Sequence, residues 1–276
     1  MHTESNYISI RNNIIMLAKI KILSLNISNG SFQEFVDEIF LYSNKQIPFY
    51  ICFANVHMLV EASNSTTFNN AVNSAHIVAP DGFPVAKCFH FMHGIKQQRI
   101  DGSGLMKRVL ALCVPHGKKV FFYGGTQEML SKANIFLRSS YPGLSIAGMY
   151  APPFRPLSEI EKEKIIKKIN AAEADFIFVV LGCPKQESWM HEMSSKIPAI
   201  MLGIGGALPM ALGIQKRAPI WFQNNGFEWL YRLVQEPKRL FYRYTVINTK
   251  FIYLVLVELL KIKFIKIYKI LKPNTI

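Results

Sequence analysis

The chain has 276 residues, half of them hydrophobic and only 18% charged, a length at which one sizeable α/β domain or two small ones fold without disulfide or metal staples. That balance excludes an intrinsically disordered chain, and a mean hydropathy of +0.17 points to a partly apolar surface. Lysine and arginine outnumber aspartate and glutamate by 32 to 18, so the expected partners carry phosphate: a nucleotide, a nucleic acid or an anionic lipid.

The first eleven residues are polar, and the apolar stretch behind them is broken by Lys19 and Lys21, so no signal peptide or spanning helix is expected there. The four cysteines (Cys52, Cys88, Cys113, Cys183) have no CxxC spacing and sit in or beside apolar runs. They read as buried thiols in a reducing compartment, which predicts a cytoplasmic protein.

Residues 20–27 have strand composition and lead into Ser31-Phe-Gln-Glu34, a capping box that predicts a helix to about residue 44, hence an opening βα unit. A strand is expected over 48–54, a helix over 56–75, and a short strand over 76–79 ending at Pro80-Asp81-Gly82. The run 118–123 predicts another strand, followed by Gly124-Gly125-Thr126, a helix to about 140 and a strand over 144–148. A second capping box, Ser158 with Glu161, opens a helix that leads to the segment 175–181, Asp175 followed by an unbroken apolar run, the composition of a central parallel strand. A helix from about 185, a strand over 199–202 and the turn Gly203-Ile-Gly205-Gly206 follow. This alternation predicts an α/β fold with an open, mostly parallel, Rossmann-like sheet and helices on both faces, and it puts ligands at the carboxyl ends of the strands.

Past residue 216 the strand signals stop, which suggests a core over 1–216 and a helical C-terminal appendage over 217–276. From Lys238 onward nine basic residues face one acidic residue, Glu258. Phe251–Leu260 is apolar over half the length that a spanning helix needs, and Lys261, Lys263, Lys266, Lys269 and Lys272 follow. A basic amphipathic helix lying in the headgroups of an anionic membrane fits this pattern.

Asp37, Asp81, Asp101 and Asp175 are the only aspartates, and none is two residues from another, so no DxD metal–diphosphate site can form locally. A diphosphate leaving group would then rest on arginine, lysine, amides or helix N-termini, and metal independence is the expectation. His90 and His93 have metal-compatible spacing but no third ligand nearby, the pattern of an ordinary half-buried pair. Asp81, at a strand end before glycine, reads either as a general base or as an Asp-Gly turn, and Asn55 either as a sugar ligand or as a helix cap. Gly124 and Gly125 could hold phosphate on their amides, although the segment lacks the full dinucleotide and P-loop patterns. Gly182-Cys-Pro-Lys-Gln186-Glu187 gathers a turn, a cation, an amide and a carboxylate at one helix start, as a binding site or as a decorated helix terminus. A nicotinamide oxidoreductase is the rival enzyme reading, weakened because no acidic residue lies about twenty positions beyond the glycine pair. A nucleic-acid-binding protein is the non-enzymatic rival, but the cations are interleaved with leucine, isoleucine and phenylalanine rather than set in a polar groove.

The ordered series Phe53-Ala-Asn55, Pro80-Asp81-Gly82, Arg99-Ile-Asp-Gly102, Phe122-Tyr-Gly-Gly125, Leu181-Gly-Cys-Pro-Lys-Gln-Glu187, Gly203-Ile-Gly-Gly206, Lys216-Arg-Ala-Pro219 and Glu228-Trp-Leu-Tyr-Arg232 with Glu236-Pro237 resembles the WecG/TagA/CpsF glycosyltransferase family over residues 50–245. The resemblance implies an inverting, metal-independent transfer of N-acetylmannosamine, its uronic acid or a related sugar. The donor would be a UDP-sugar, with no further cofactor, and the acceptor a polyprenyl-diphosphate-linked saccharide of surface polysaccharide or teichoic acid synthesis. It also implies a peripheral position at the inner face of the membrane, self-association into a homo-oligomer, and no nucleic-acid partner. By the same resemblance Asp81 matches the catalytic base, and Asn55, Arg99 and Gln186 match pocket residues. Gly124, Gly125, Gly182, Glu187 and Arg217 belong to the matched binding segments, and Arg232, Arg239 and Arg243 match arginines of a membrane-contacting appendage that completes the site. Phe53, Gly104, Leu208-Pro-Met210 and the Ala151–Arg155 loop depart from the family pattern, which bears on the identity of the sugar.

Overall fold

The computed structural model describes residues 16–43, 49–216, 218–224 and 226–271. Two antiparallel strands, β1 (Ala18–Ile22) and β2 (Leu25–Asn29), come first, where a single strand was expected. Ile22, Leu25 and Ile27 are all fully buried. Residues three apart on one straight strand point to opposite faces, so burying both Ile22 and Leu25 on one core requires the chain to reverse between them. Leu23, with φ 54°, makes that reversal. The hairpin forms its own sheet and lies beside the main one, where Val78 N donates to Ser28 Oγ at 3.1 Å.

Helix α1 (Phe32–Ser43) begins with the expected capping box: Ser31 N donates to Glu34 Oε2 at 2.6 Å and Glu34 N to Ser31 Oγ at 3.3 Å. Strand β3 (Phe49–Ala54) follows. The helical stretch beyond it is two helices, α2 (Val56–Asn64) and α3 (Thr66–Asn73). Ser65, in an extended conformation, ends the first and caps the second, its hydroxyl accepting from Phe68 N. Strand β4 (Ile77–Pro80) leads into α4 (Phe83–His93) and α5 (Gly102–Cys113), two helices in a stretch for which the sequence raised no expectation.

The alternation then runs as expected through β5 (Lys119–Gly124), α6 (Gln127–Ser140), β6 (Ser145–Tyr150), α7 (Glu159–Ala171), β7 (Phe176–Val180), α8 (Lys185–Met193), β8 (Ile200–Gly203) and the short α9 (Ala207–Ala211). The six main strands are all parallel, in the order β4-β3-β8-β7-β5-β6. Every residue of β7 is buried, as its unbroken apolar run requires of an inner strand.

Alternate strand residues feed two cores. Tyr50, Cys52, Tyr123, Val179 and Met201 pack under α2, α3, α4, α7 and α8, whereas Ile51, Phe53, Phe122, Phe178 and Leu202 pack under α1, α5, α6 and α9. Large side chains buried this completely contribute about 1.5–3 kcal/mol each. On the first face Tyr123 also stacks on Trp189 with ring centroids 4.1 Å apart. Cys52, Cys88 and Cys113 are buried and free, and burial lifts the Cys88 thiol to about 11 and the Cys113 thiol to about 12.

Three helices end the described chain: α10 (Ile220–Asn224), α11 (Glu228–Gln235) and the 35-residue α12 (Pro237–Leu271). Phe251 of α12 is buried in the first core, with Ile247, Leu254, Val255 and Leu259 packed beside it, while Lys250 Nζ bonds to Asn64 Oδ1 on α2. The opposite side of α12 exposes Ile252, Tyr253, Leu256, Leu260 and Phe264. The helix is therefore apolar on two sides rather than along one stripe. Among the described residues no helix is long and apolar enough to cross a membrane.

Candidate active site

Strands β3 and β4 are neighbours in register, with Ala54 opposite Pro80, so the chain leaves the sheet at Asn55 and Asp81 side by side. Asp81 N donates to Ala54 O at 2.9 Å, which pins the aspartate to the tip of the adjoining strand. Gly82, with φ 106°, then turns the chain sharply into α4, a conformation that side chains with a Cβ rarely adopt. Ile100 N donates to Pro80 O at 2.9 Å and so draws the segment before α5 across the same tip, bringing Arg99 to Asp81. Asn55 caps α2, its Oδ1 accepting from Met58 N at 3.1 Å.

These tips floor a cavity of about 400 Å³ whose roof is the C-terminal region: Glu228, Trp229 and Arg232 of α11 and Tyr244, Asn248 and Phe251 of α12. His57 also lines it, with Nε2 3.4 Å from Glu61 Oε1. The roof is fitted closely to the floor, since a Cβ on Gly226 would lie 2.8 Å from the Phe83 ring.

Inside the cavity one guanidinium serves two carboxylates unequally. Arg99 Nη1 lies 2.8 Å from Glu228 Oε2, but Arg99 Nε is 3.4 Å from Asp81 Oδ1. Arg232 Nη2 contacts the other Glu228 oxygen at 3.2 Å and Met210 Sδ at 3.0 Å. The Asp81 side chain is 24% exposed, neither open to bulk water nor closed in a tight ion pair. Its loss of solvent, reinforced by Asp101 and Glu228 and opposed by Arg99 and Arg232, raises its pKa to about 6. A carboxylate held there is a proton acceptor matched to neutral pH.

Asn55, Asp81, Arg99 and Arg232 thus share one cavity, and Gly124, Gly125, Gly182, Gln186 and Glu187 are not in its lining. The latter group sits at the tips of β5 and β7, and β7 is three strand spacings from β4, about 14 Å along the sheet edge. Gly125 N donates to Val180 O at 2.9 Å, and a Cβ on Gly124 would fall 2.4 Å from that oxygen, so the glycine pair allows two strand ends to meet. Gln186 is buried; its Nε2 donates to Gly203 O at 2.8 Å and Glu187 Oε1 at 2.7 Å, and its Oε1 accepts from Gly182 N at 3.2 Å. It ties the ends of β7 and β8 together. Glu187 is fully buried, its Oε2 has no hydrogen-bond partner among the described residues, and burial raises its pKa to about 7.

Arg217 lies outside the described residues, as do the side chains of Arg239 and Arg243, whose backbone belongs to α12. The departures Phe53 and Leu208 are buried in the second core, and Gly104 lies against the Asp101 cap, so none of these three lines the cavity. His93 Nε2 pairs with Lys21 O, and among the described residues no three His, Cys, Asp or Glu side chains form a metal-binding group. His57 and Tyr244 were not singled out from the sequence, and Glu228 figured there only as the first residue of the Glu228-Trp-Leu-Tyr-Arg232 segment, with no role assigned; its i,i+4 spacing to Arg232 is the local signal that could have paired the two.

An open parallel sheet with a carboxylate on one strand tip and two guanidiniums beside it, under a helical roof, has the build of a group-transfer enzyme. The chain belongs to the glycosyl transferase WecG/TagA/CpsF family, whose sequence pattern matches residues 20–264, and it is a glycosyltransferase. Similar proteins include the N-acetylglucosaminyldiphosphoundecaprenol N-acetyl-beta-D-mannosaminyltransferases of Staphylococcus aureus strains MW2 and NCTC 8325 / PS 47. Each is 30% identical over 226 residues, covering 81% of this chain and 87% of the relative.

Proposed function

We propose that this glycosyltransferase moves N-acetylmannosamine or a closely related sugar from a UDP donor to a polyprenyl-diphosphate-linked saccharide, with inversion and without a divalent metal. The observation that carries the reading is Asp81 in the cavity of a member of this family, with its proton affinity tuned near neutrality. Asp81 accepts the proton of the acceptor hydroxyl while that oxygen bonds to the anomeric carbon. The bond from that carbon to the UDP oxygen breaks on the opposite face, and UDP leaves with the electron pair. Arg99 and Arg232 supply the fixed positive charge for diphosphate groups. Asn55 is placed to hydrogen-bond a sugar hydroxyl through its amide nitrogen while its oxygen caps α2. The PKQE segment, Gly182 to Glu187, acts indirectly in this reading, by fixing the strand ends across which the donor lies.

The acceptor's diphosphate sits at a bilayer surface, and the exposed side chains Ile252, Tyr253, Leu256, Leu260 and Phe264, followed by lysines, support peripheral attachment through α12 at the inner face of the cell membrane. Mass spectrometry of the product formed from a panel of UDP-sugars and a polyprenyl diphosphate N-acetylglucosamine, with and without chelator, tests donor, acceptor and metal dependence together. No product from any UDP-sugar would refute the donor class. Flotation of the full chain with anionic vesicles, compared with a Lys261→Glu, Lys263→Glu variant, tests attachment; equal flotation would remove it.

A further inference from the structure

Glu228 occupies an unusual position, because its carboxylate sits between the two described arginines of the cavity and is itself only 15% exposed. A guanidinium beside two carboxylates can fork onto either, and a planar two-point pair is the strongest arrangement open to it. Arg99 gives its short contact to Glu228, at 2.8 Å, and only a long single-nitrogen approach, at 3.4 Å, to Asp81. Without the Glu228 charge, the nearest anion left to Arg99 would be Asp81, 18 residues away in the chain and already in contact. A forked Arg99–Asp81 pair would take two of the roughly four lone-pair sites of the carboxylate and lower its proton affinity, leaving a weaker base.

We propose that Glu228 is a positioning residue for Arg99: by holding one end of the guanidinium it keeps the arginine from closing on Asp81, leaving that carboxylate open to accept a proton. The inference rests on Asp81 being the base, and it ties that base to α11. The charged groups facing Asp81 are Arg99 and Asp101 from the segment leading into α5, and Glu228 and Arg232 from α11, with His57 of α2 lining the same space. Of these, Glu228 is the one that both repels a charge on Asp81 and holds Arg99 away from it.

The test is a carboxyl titration of the full-length protein. Four aspartates give four resonances after selective [13Cγ]aspartate labelling, and Asp81→Asn identifies the one that matters. In the native chain Asp81 should titrate near pH 6. In Glu228→Gln its midpoint should fall by about one pH unit or more, the size expected when a cation closes on a carboxylate. Glu228→Asp, which keeps the charge on a shorter arm, should move it in the same direction by less. The acid limb of kcat/KM should follow the midpoint in each variant, a shift that a merely structural role would not produce. An unmoved midpoint in Glu228→Gln, or a midpoint that falls there but stays at the native value in Glu228→Asp, where the charge is kept and only the hold on Arg99 is altered, overturns the proposal, because charge repulsion alone would then account for the shift. If instead Asp81→Asn keeps normal turnover, the base assignment fails, and the titration still judges the positioning role on its own.

Discussion

Asp81 and Arg99 approach to 3.4 Å through a single guanidinium nitrogen, close enough to interact and too far to lock. A carboxylate in that state can still take a proton from a hydroxyl. Asp81→Asn should therefore lower turnover by about two to four orders of magnitude, the usual share of a general base, with UDP affinity nearly unchanged. Product formation measured beside UDP calorimetry checks both halves, and normal turnover would exclude the role.

The same carboxylate predicts an acid limb. Burial raises the Asp81 pKa to about 6, so below that pH it is protonated and unable to act as a base, while above it the charged form prevails. The kcat/KM of the native enzyme should fall about tenfold per pH unit below 6. A limb near pH 4, where an ordinary aspartate titrates, would show that the cavity does not perturb it.

Glu187 makes a prediction about stability. Its folded pKa of about 7 lies above its ordinary value of 4.5, so the folded state binds the proton more tightly than the unfolded state. Stability is then lost as pH rises from about 4.5 to 7, and the deficit persists above 7. Glu187→Gln keeps an oxygen for Gln186 and removes the charge. It should unfold at a higher temperature than the native chain at pH 8 and gain little at pH 5, as differential scanning fluorimetry at the two pH values would report.

Gly124→Ala should destabilise strongly, because φ 112° disfavours any Cβ and the added carbon would fall 2.4 Å from Val180 O, a backbone atom that cannot step aside. The expected loss is about 3 kcal/mol or more, read by urea denaturation. A variant of native stability would show that β5 and β7 do not meet as closely as described.

The alternation of strand and helix was legible because a parallel sheet buries both faces of its inner strands, which leaves unbroken apolar runs such as Phe176–Val180, and because capping boxes announce helices, as at Ser31 and Ser158. Asp81 and Asn55 were legible as strand-end polar residues. The initial hairpin was not, since a reversal at Leu23 carries no glycine or Asn-Gly signal. Gln186 and Glu187 looked like ligands from their position after a strand, and their burial follows from the fold of α8 onto β8.

The layer architecture, the strand-tip carboxylate and the cationic, apolar C-terminal helix could all be read along the chain, because periodicity, capping and charge are properties of neighbouring residues. Which charges meet follows from the folding of distant segments onto one another. Arg99 and Glu228 are far apart in sequence and stand 2.8 Å apart across the cavity, and the role proposed for Asp81 rests on that pairing, which no local pattern encodes. Coulomb interaction and desolvation act through space, and the folded path of the backbone sets those distances.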